Sequence, residues 1–352
     1  MSAENATKRD IRALDLQALQ AFFSAHNQQA FRADQVYQWL WQKGAHHFDE
    51  MTNLSKSTRA LLDAHFVINH IAVDRQQRSS DQTIKNAIRL HDGLTVESVL
   101  IPTETRSTAC VSSQVGCSLD CTFCATSQLK RMRNLNPDEI YDQVMALDRQ
   151  SQLYFGRPLS NIVFMGMGEP LMNYKNVIAA VERITEGLGL SPKRITISTS
   201  GVPKMIEKLA DENPRFQLAV SLHSAREKVR NQIMPFSTSF DLETLQKSLQ
   251  YWYQQTRSKI TFEYLIWKGI NDTQEDIDAL VAYCKRVPSK VNIIEYNPTD
   301  FGNFEAADQK VIEAYKKALE RARITVTVRR SRGKDIDAAC GQLANKLIPL
   351  ES

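Results

Sequence analysis

Six apolar runs of strand length recur between residues 107 and 297: STACVSS (107–113), NIVFMG (161–166), RITISTS (194–200), FQLAVSL (216–222), KITFEYLI (259–266) and VNIIEYN (291–297). Between them lie amphipathic segments of helix length. One is NPDEIYDQVMALDRQ, in which Asn136 can cap and Pro137 takes the first helical position. Strands that alternate with helices pair in parallel, because the crossover returns each strand in the same direction. Six such units are too few to close the standard eight-stranded barrel. The chain is therefore expected to be α/β, with a partial (βα)6 barrel open on one side and no internal repeat.

In parallel α/β folds the chemistry collects at the carboxyl ends of the strands. The polar residues fall there. A cysteine loop follows the first strand, and Gly166, Gly168 and Glu169 follow the second. Ser198 and Ser200 end the third, Ser221 and His223 the fourth, and Asn297 the sixth. Glycines in such places let the backbone approach a ligand, and Glu169 can accept a hydrogen bond from an ammonium group. Any one of these has a plain structural reading, His223 above all. Their convergence from five of six strands is what points to a site.

Four of the six cysteines lie between Cys110 and Cys124, and Cys117, Cys121 and Cys124 are spaced C-x3-C-x2-C. Thiolates that close together on a glycine-hinged loop can meet at one metal centre. Tetrahedral zinc wants a fourth Cys or His at similar spacing, and ATSQLKRMRNL supplies none. On a [4Fe–4S] cluster, three ligands leave one iron free to chelate a small molecule. A zinc site completed from a distance, or three cysteines sharing a core, are the plainer alternatives. Of the remaining thiols, Cys284 in LVAYCKRV reads as core, whereas Cys340, on a turn between Gly333 and Gly341, and Cys110 are candidate reactive groups.

The N-terminal part has a different period. LDLQALQAFFSAH, FRADQVYQWLWQK and LSKSTRALLDAHF each read as a helix, with a break at Gly44. Phe31, Trp39 and Trp41 are expected in its core. TIKNAIRL and LTVESVLIP alternate with period two around Asp92-Gly93, a hairpin signal. Glu97 in the second strand is of a type that usually faces solvent. The expected divisions are a helical unit over 1–75, a hairpin linker over 76–106, the barrel over 107–300, and a C-terminal helix, extra strand and Cys340 loop over 301–352.

The formal net charge of +4 over 352 residues says little. Its placement says more, since Lys130, Arg131 and Arg133 follow the cysteine loop and Arg329, Arg330, Arg332 and Lys334 precede Cys340. Either run alone is ordinarily a solvated face, but together they suit a polyanionic substrate. No run of eighteen apolar residues occurs, and MSAENATKRD has no signal core. The cysteine pattern is not a secreted disulfide framework, so a cytoplasmic, non-membrane protein is expected, and a monomer in the absence of an apolar surface stripe.

The cysteine spacing, with Phe123 before the last Cys, resembles that of radical S-adenosylmethionine (radical SAM) enzymes. CVSSQVGCSLDCTFCAT, RNL, FMGMGEPLMN, ISTSG, SLHS, EYNP and DIDAACGQL resemble, more narrowly, the radical SAM adenosine methyltransferases of the RlmN and Cfr family, over nearly the whole chain. The resemblance implies that Cys117, Cys121 and Cys124 hold the cluster. It assigns Gly168, Glu169, Ser198, Ser221, Leu222, His223 and Asn297 to S-adenosylmethionine, Cys340 to the S-methylated cysteine, and Cys110 to the thiol that resolves the intermediate. It makes Glu97 a proton acceptor.

The chemistry implied uses two S-adenosylmethionine molecules per turnover. One methylates Cys340. A second, cleaved reductively, yields a radical that takes a hydrogen atom from that methyl group, which then adds to an adenine. Cys110 assists release and a transient Cys110–Cys340 disulfide remains. The implied partners are 23S rRNA, tRNA and an electron donor such as flavodoxin or ferredoxin. Pro170 in MGMGEPLMN and the segment VESVLIP favour the branch that methylates adenine carbon 2 over the antibiotic-resistance branch, which acts on carbon 8. Ser127 and Lys130 stand where family members usually have glycines, which implies a stiffer loop and altered substrate contacts. A non-catalytic RNA-binding protein with a structural metal is the alternative from another class. It gives no reason for Cys110 and Cys340.

Overall fold

The structure, a computed structural model, describes residues 8–346. Most of the N-terminal stretch read for a signal, and the last six residues of the C-terminal division, lie outside the described residues. The chain begins with β1 (Arg9–Asp10), α1 (Leu16–Ala25), α2 (Arg32–Trp41), α3 (Lys56–His65) and β2 (Phe66–Val67), with β1 and β2 paired in parallel. Asp15 and Ser55 cap α1 and α3 by accepting from the backbone N–H of Ala18 and Thr58. Leu19, Phe23, Val36, Leu40, Trp41 and Leu62 form the interior. Trp41 is buried as expected, but Phe31 is exposed, and Trp39 is only half-buried beneath the ammonium of Lys43. Phe31 precedes the first turn of α2, whereas Trp39 packs against the core from its margin. This unit docks on the barrel through Arg12, whose buried guanidinium pairs with Asp142 at 2.8 Å and Asp138 at 3.2 Å.

Next come β3 (Ala72–Arg78), β4 (Ile84–Arg89) and β5 (Thr95–Pro102), all antiparallel. The hairpin β4–β5 turns at Asp92-Gly93 with Val96 opposite Ile88. The expected two-stranded linker is corrected in two respects. It has a third strand, β3, whose residues AVDRQQR carry no alternation because neither face of this edge strand is deeply buried. It is also not a separate ribbon, because β5 pairs with β6 (Ser107–Cys110).

The barrel strands then follow: β7 (Gln114–Val115) and β8 (Arg133–Asn134), a small antiparallel pair bracketing the cysteine loop, α4 (Pro137–Phe155), β9 (Asn161–Phe164), α5 (Tyr174–Leu188), β10 (Ile195–Thr199), α6 (Pro203–Asp211), β11 (Gln217–Ser221), α7 (Glu227–Ile233), α8 (Leu242–Thr256), β12 (Ile260–Leu265), α9 (Gln274–Lys285), β13 (Ser289–Ile294), α10 (Gln309–Arg321) and β14 (Thr325–Arg329). One sheet of ten strands runs β14-β13-β12-β11-β10-β9-β6-β5-β4-β3. From β6 to β14 every pair is parallel. The six expected barrel strands are all present, and β14 is the extra strand at the far edge.

Local chemistry sets the element ends. Pro137 opens α4 and Glu139 returns an oxygen to the N–H of Asn136 at 2.8 Å, while Gly156 ends the helix in the left-handed region at φ 64°. The first barrel strand stops at Cys110, short of the expected 113: the Val111 N–H still donates to Val163 O of β9 at 3.0 Å, but the Ser113 N–H donates to Met167 O in the turn beyond it at 2.8 Å. The cysteine loop that follows lies at the barrel mouth.

Candidate active site

The carboxyl ends of the parallel strands line a cavity open to solvent. Cys117, Cys121 and Cys124 form one wall, and Gly166, Gly168 and Glu169 continue it. Ser198, Ser221, His223 and Asn297 also line it, and Cys340 borders it on a segment bonded to the cysteine loop, where the Ala125 N–H donates to Gly341 O at 2.8 Å. Three predicted residues do not line it, and Cys110 at the end of β6 is one. Leu222 is buried in the core, its N–H donating to Glu263 O at 3.1 Å, and Glu97 lies behind the wall.

The glycines are demanded by packing. A Cβ on Gly166 would stand 2.6 Å from Ser112 Oγ, and one on Gly168, at φ 95°, would stand 2.5 Å from Gln114 Cβ. The close approach that they permit is thus to the cysteine-loop strand itself. Gln114 Oε1 accepts the Glu169 N–H at 2.9 Å, which fixes the turn. Glu169 is buried, and its two oxygens accept from Leu171 N at 3.0 Å and Ser200 N at 2.8 Å. Burial raises its pKa, against the opposing pull of the Ser200 bond. The Thr199 and Ser200 side chains also bond this carboxyl group, which lines the cavity and so presents an acceptor to a cation there.

His223 sits in the left-handed region at φ 55° and is buried, with Nδ1 accepting from Leu265 N at 3.1 Å. Burial, with the nearby Arg230 cation, pushes its pKa down to about 3, so it is a neutral acceptor. Its ring meets Phe123 edge-on at 5.0 Å.

Sequence reasoning missed Glu263. It stands within β12, in register between Ser221 and Asn292, and lines the cavity, so the fifth barrel strand contributes too. A single carboxylate inside KITFEYLI was the available signal. Oε1 accepts from Asn292 Nδ2 at 2.9 Å, while Oε2 is buried with no hydrogen-bond partner. Asn297 Oδ1 is likewise buried and unpartnered, its amide nitrogen being spent on Glu295 O and Ser331 Oγ. Two orphan acceptors on one cavity wall await donors from a ligand rich in hydroxyl and amino groups.

All six cysteines are free. Burial pushes the Cys117 thiol up to about 12, raises Cys121 well above its ordinary value and raises Cys124. Thiols so placed become thiolates only by coordinating a cation. Among the described residues no three Cys, His, Asp or Glu side chains are gathered to hold one metal ion. Cys117, Cys121 and Cys124 nevertheless line one cavity from one loop, a donor set that suits a [4Fe–4S] cluster with one iron left open. Ser127 Oγ ties the loop by donating to Cys121 O at 2.5 Å and Cys124 O at 2.6 Å.

Cys110 is buried at the end of β6, and burial followed by the Cys340 thiol pushes its pKa up to about 12. Cys340 is reachable from the cavity, and its enclosure likewise raises its pKa, opposed by the Arg329 cation. Glu97 pairs with Lys85 at 3.4 Å and accepts the N–H groups of Ala344 and Asn345. The basic runs are only partly available. Arg133 is engaged by Asp92 and Glu139, and Lys334 by Glu295, whereas Lys130, Arg131, Arg329 and Arg330 make no ion pair among the described residues.

A partial parallel barrel with a three-cysteine loop at its mouth is the architecture of a radical SAM domain, and the Radical SAM superfamily model matches residues 111–284. The Ribosomal RNA large subunit methyltransferase N-terminal domain model matches residues 9–68. The probable dual-specificity RNA methyltransferase RlmN of Christiangramia forsetii is 70% identical over 96% of this chain and 97% of its own length. The dual-specificity RNA methyltransferase RlmN of Geotalea uraniireducens is 43% identical over 97% and 98%. A solved radical SAM methyltransferase from Sphaerobacter thermophilus superposes with a TM-score of 0.89 at 36% identity, covering 95% of this chain and 99% of that one. The chain belongs to the RlmN family of radical SAM RNA methyltransferases.

Proposed function

We propose that this protein methylates carbon 2 of adenosine in the peptidyl-transferase centre of 23S rRNA and of the adenosine beside the anticodon in tRNAs. The observation that carries the reading is that one cavity joins the three-cysteine loop, Glu169 and the accessible thiol of Cys340. A bound [4Fe–4S] cluster and S-adenosylmethionine would supply the methyl group and the means of activating it. The chain supplies the rest. Cys117, Cys121 and Cys124 hold the cluster. Glu169 receives the ammonium of the methionine moiety, and Gly168, Ser198, Ser221, Leu222, His223 and Asn297 shape its bed, Leu222 through its backbone.

Cys340 carries the methyl group, and Cys110, held protonated by burial, is the second thiol that ends the reaction as its disulfide partner. The proton-accepting role of Glu97 has the weaker support, since its visible work is to hold the segment after Cys340. Lys130, Arg131, Arg329 and Arg330 offer charge to an RNA backbone at the cavity mouth. The helical unit over 1–75 adds docking surface, the hairpin over 76–106 joins it to the barrel over 107–300, and residues 301–352 bring Cys340 to the site. A one-electron donor such as flavodoxin or ferredoxin, a cytoplasmic location and a monomeric state complete the reading.

The test is mass spectrometry of adenosines from a 23S rRNA fragment incubated anaerobically with the cluster-loaded protein, S-adenosylmethionine and a reductant. 2-Methyladenosine is expected. 8-Methyladenosine would move the site of attack to the other ring, and no modified adenosine from protein with an intact cluster would overturn the substrate assignment.

A further inference from the structure

Arg230 on α7 is 1% exposed. Its Nη2 donates to the Ser200 carbonyl at 2.7 Å and its Nη1 to the Met234 sulfur at 3.2 Å. Neither partner carries charge, and among the described residues Arg230 makes no ion pair. A buried guanidinium is ordinarily held by carboxylates, as Arg12 is by Asp138 and Asp142. Burial pulls the Arg230 pKa below its ordinary value, and the groups that oppose this are Tyr283, Cys121 and Glu227. The end of α7 is tied to the cysteine loop, since the Thr122 N–H donates to Ile233 O at 3.0 Å and Met234, the acceptor of Nη1, shares one buried apolar cluster with Cys121. Arg230 does not line the cavity. It lies behind Ser200, whose N–H holds Glu169.

We propose that Arg230 is the counter-charge of the cysteine-held cluster and raises its reduction potential. The inference rests on the reading of Cys117, Cys121 and Cys124 as cluster ligands. A dipositive [4Fe–4S] core on three thiolates has one net negative charge, and one electron from an external donor makes it two, with no bond made or broken. A fixed cation in a water-poor setting favours the more negative state. The unpaired charge that is costly in the empty protein thereby becomes matched when the cluster is in place. Arg230 is thus a positioning residue that acts through its field, touching neither substrate nor cofactor.

The experiment is an anaerobic redox titration, read by electron paramagnetic resonance, of the cluster-loaded full chain with neither S-adenosylmethionine nor RNA added. At a fixed potential the ratio of reduced to oxidised cluster in Arg230→Gln should fall about tenfold or more, a shift of at least ~59 mV for one electron. Arg230→Lys, which keeps the charge, should stay within about threefold of wild type. Iron and sulfide are counted first, so that wild-type protein binding no cluster would remove the ligand reading itself. A full cluster with an unchanged potential in Arg230→Gln overturns the role of Arg230 alone. Arg230→Met, which fills the space without an amide to satisfy, is melted in cluster-free form, and its midpoint should be no lower than that of wild type. A lower midpoint, or failure of both variants to fold, would make Arg230 a structural residue and overturn the proposal.

Discussion

Glu97 Oε2 accepts the backbone N–H of Ala344 at 2.9 Å, across 247 residues of chain. The same oxygen takes the N–H of Asn345 at 3.1 Å, and Oε1 faces the Lys85 ammonium at 3.4 Å. A carboxylate from the antiparallel extension thus fixes the segment that follows Cys340. Its side chain is 4% exposed, as is that of Lys85. Removing it strands a buried cation and two N–H groups.

Glu97→Ala should therefore lower stability by about 3–5 kcal/mol, the usual result of breaking a buried pair from one side. Limited proteolysis should cut first within 337–346 in this variant. Cleavage elsewhere, at a wild-type rate in that segment, would show that the tether does not hold it.

Cys340→Ala and Cys110→Ala should differ in kind. With S-adenosylmethionine, reductant and RNA, Cys110→Ala is expected to accumulate a covalent protein–RNA adduct, seen as a slow band on a denaturing gel, because Cys340 still receives the methyl group. Cys340→Ala should form none. A Cys110→Ala protein free of RNA would remove Cys110 from the resolving role.

Much of this site was legible in the chain. Apolar runs of strand length located all six barrel strands, because a parallel sheet buried on both faces makes such runs conspicuous. Edge strand β3 was not legible because a strand exposed on both sides has no apolar pattern. Phe31 was misassigned to the core because an aromatic residue beside a helix start carries no mark of which way it turns. Glu263 was hidden inside an apolar run, and Arg230 inside a segment of ordinary helical polarity. Their importance comes from what packs around them, which no local pattern encodes.

Gly168→Ala and Gly93→Ala make a matched pair. Both glycines have positive φ, 95° and 82°, but a Cβ at Gly93 would meet nothing within 4 Å, whereas one at Gly168 would overlap Gln114. Gly93→Ala should cost only backbone strain, about 1 kcal/mol in urea unfolding. Gly168→Ala should cost roughly 2–4 kcal/mol and weaken S-adenosylmethionine binding in equilibrium dialysis, because displacing Gln114 frees the Glu169 N–H. Equal costs at the two positions would refute the packing account of the motif.

The neutral burial of His223 makes stability depend on acid. Its folded pKa, about 3, is depressed below the ordinary 6.5, so between these values the unfolded chain binds a proton that the folded chain refuses. Stability is complete above pH 6.5, falls as pH drops through that window, and by pH 5 should have lost about 2 kcal/mol from this residue alone. Cluster-free protein is unfolded in urea at pH 7.5 and pH 5, so that the acid sensitivity of a cluster does not enter. His223→Asn is the comparison, since Asn tolerates the left-handed backbone. The variant should begin less stable at pH 7.5, having lost the acceptor for Leu265 N, yet lose about 2 kcal/mol less than wild type on going to pH 5. Parallel losses in the two proteins would mean that the imidazole accepts its proton in place, and that the wall formed by Phe123 and Arg230 does not exclude the charge.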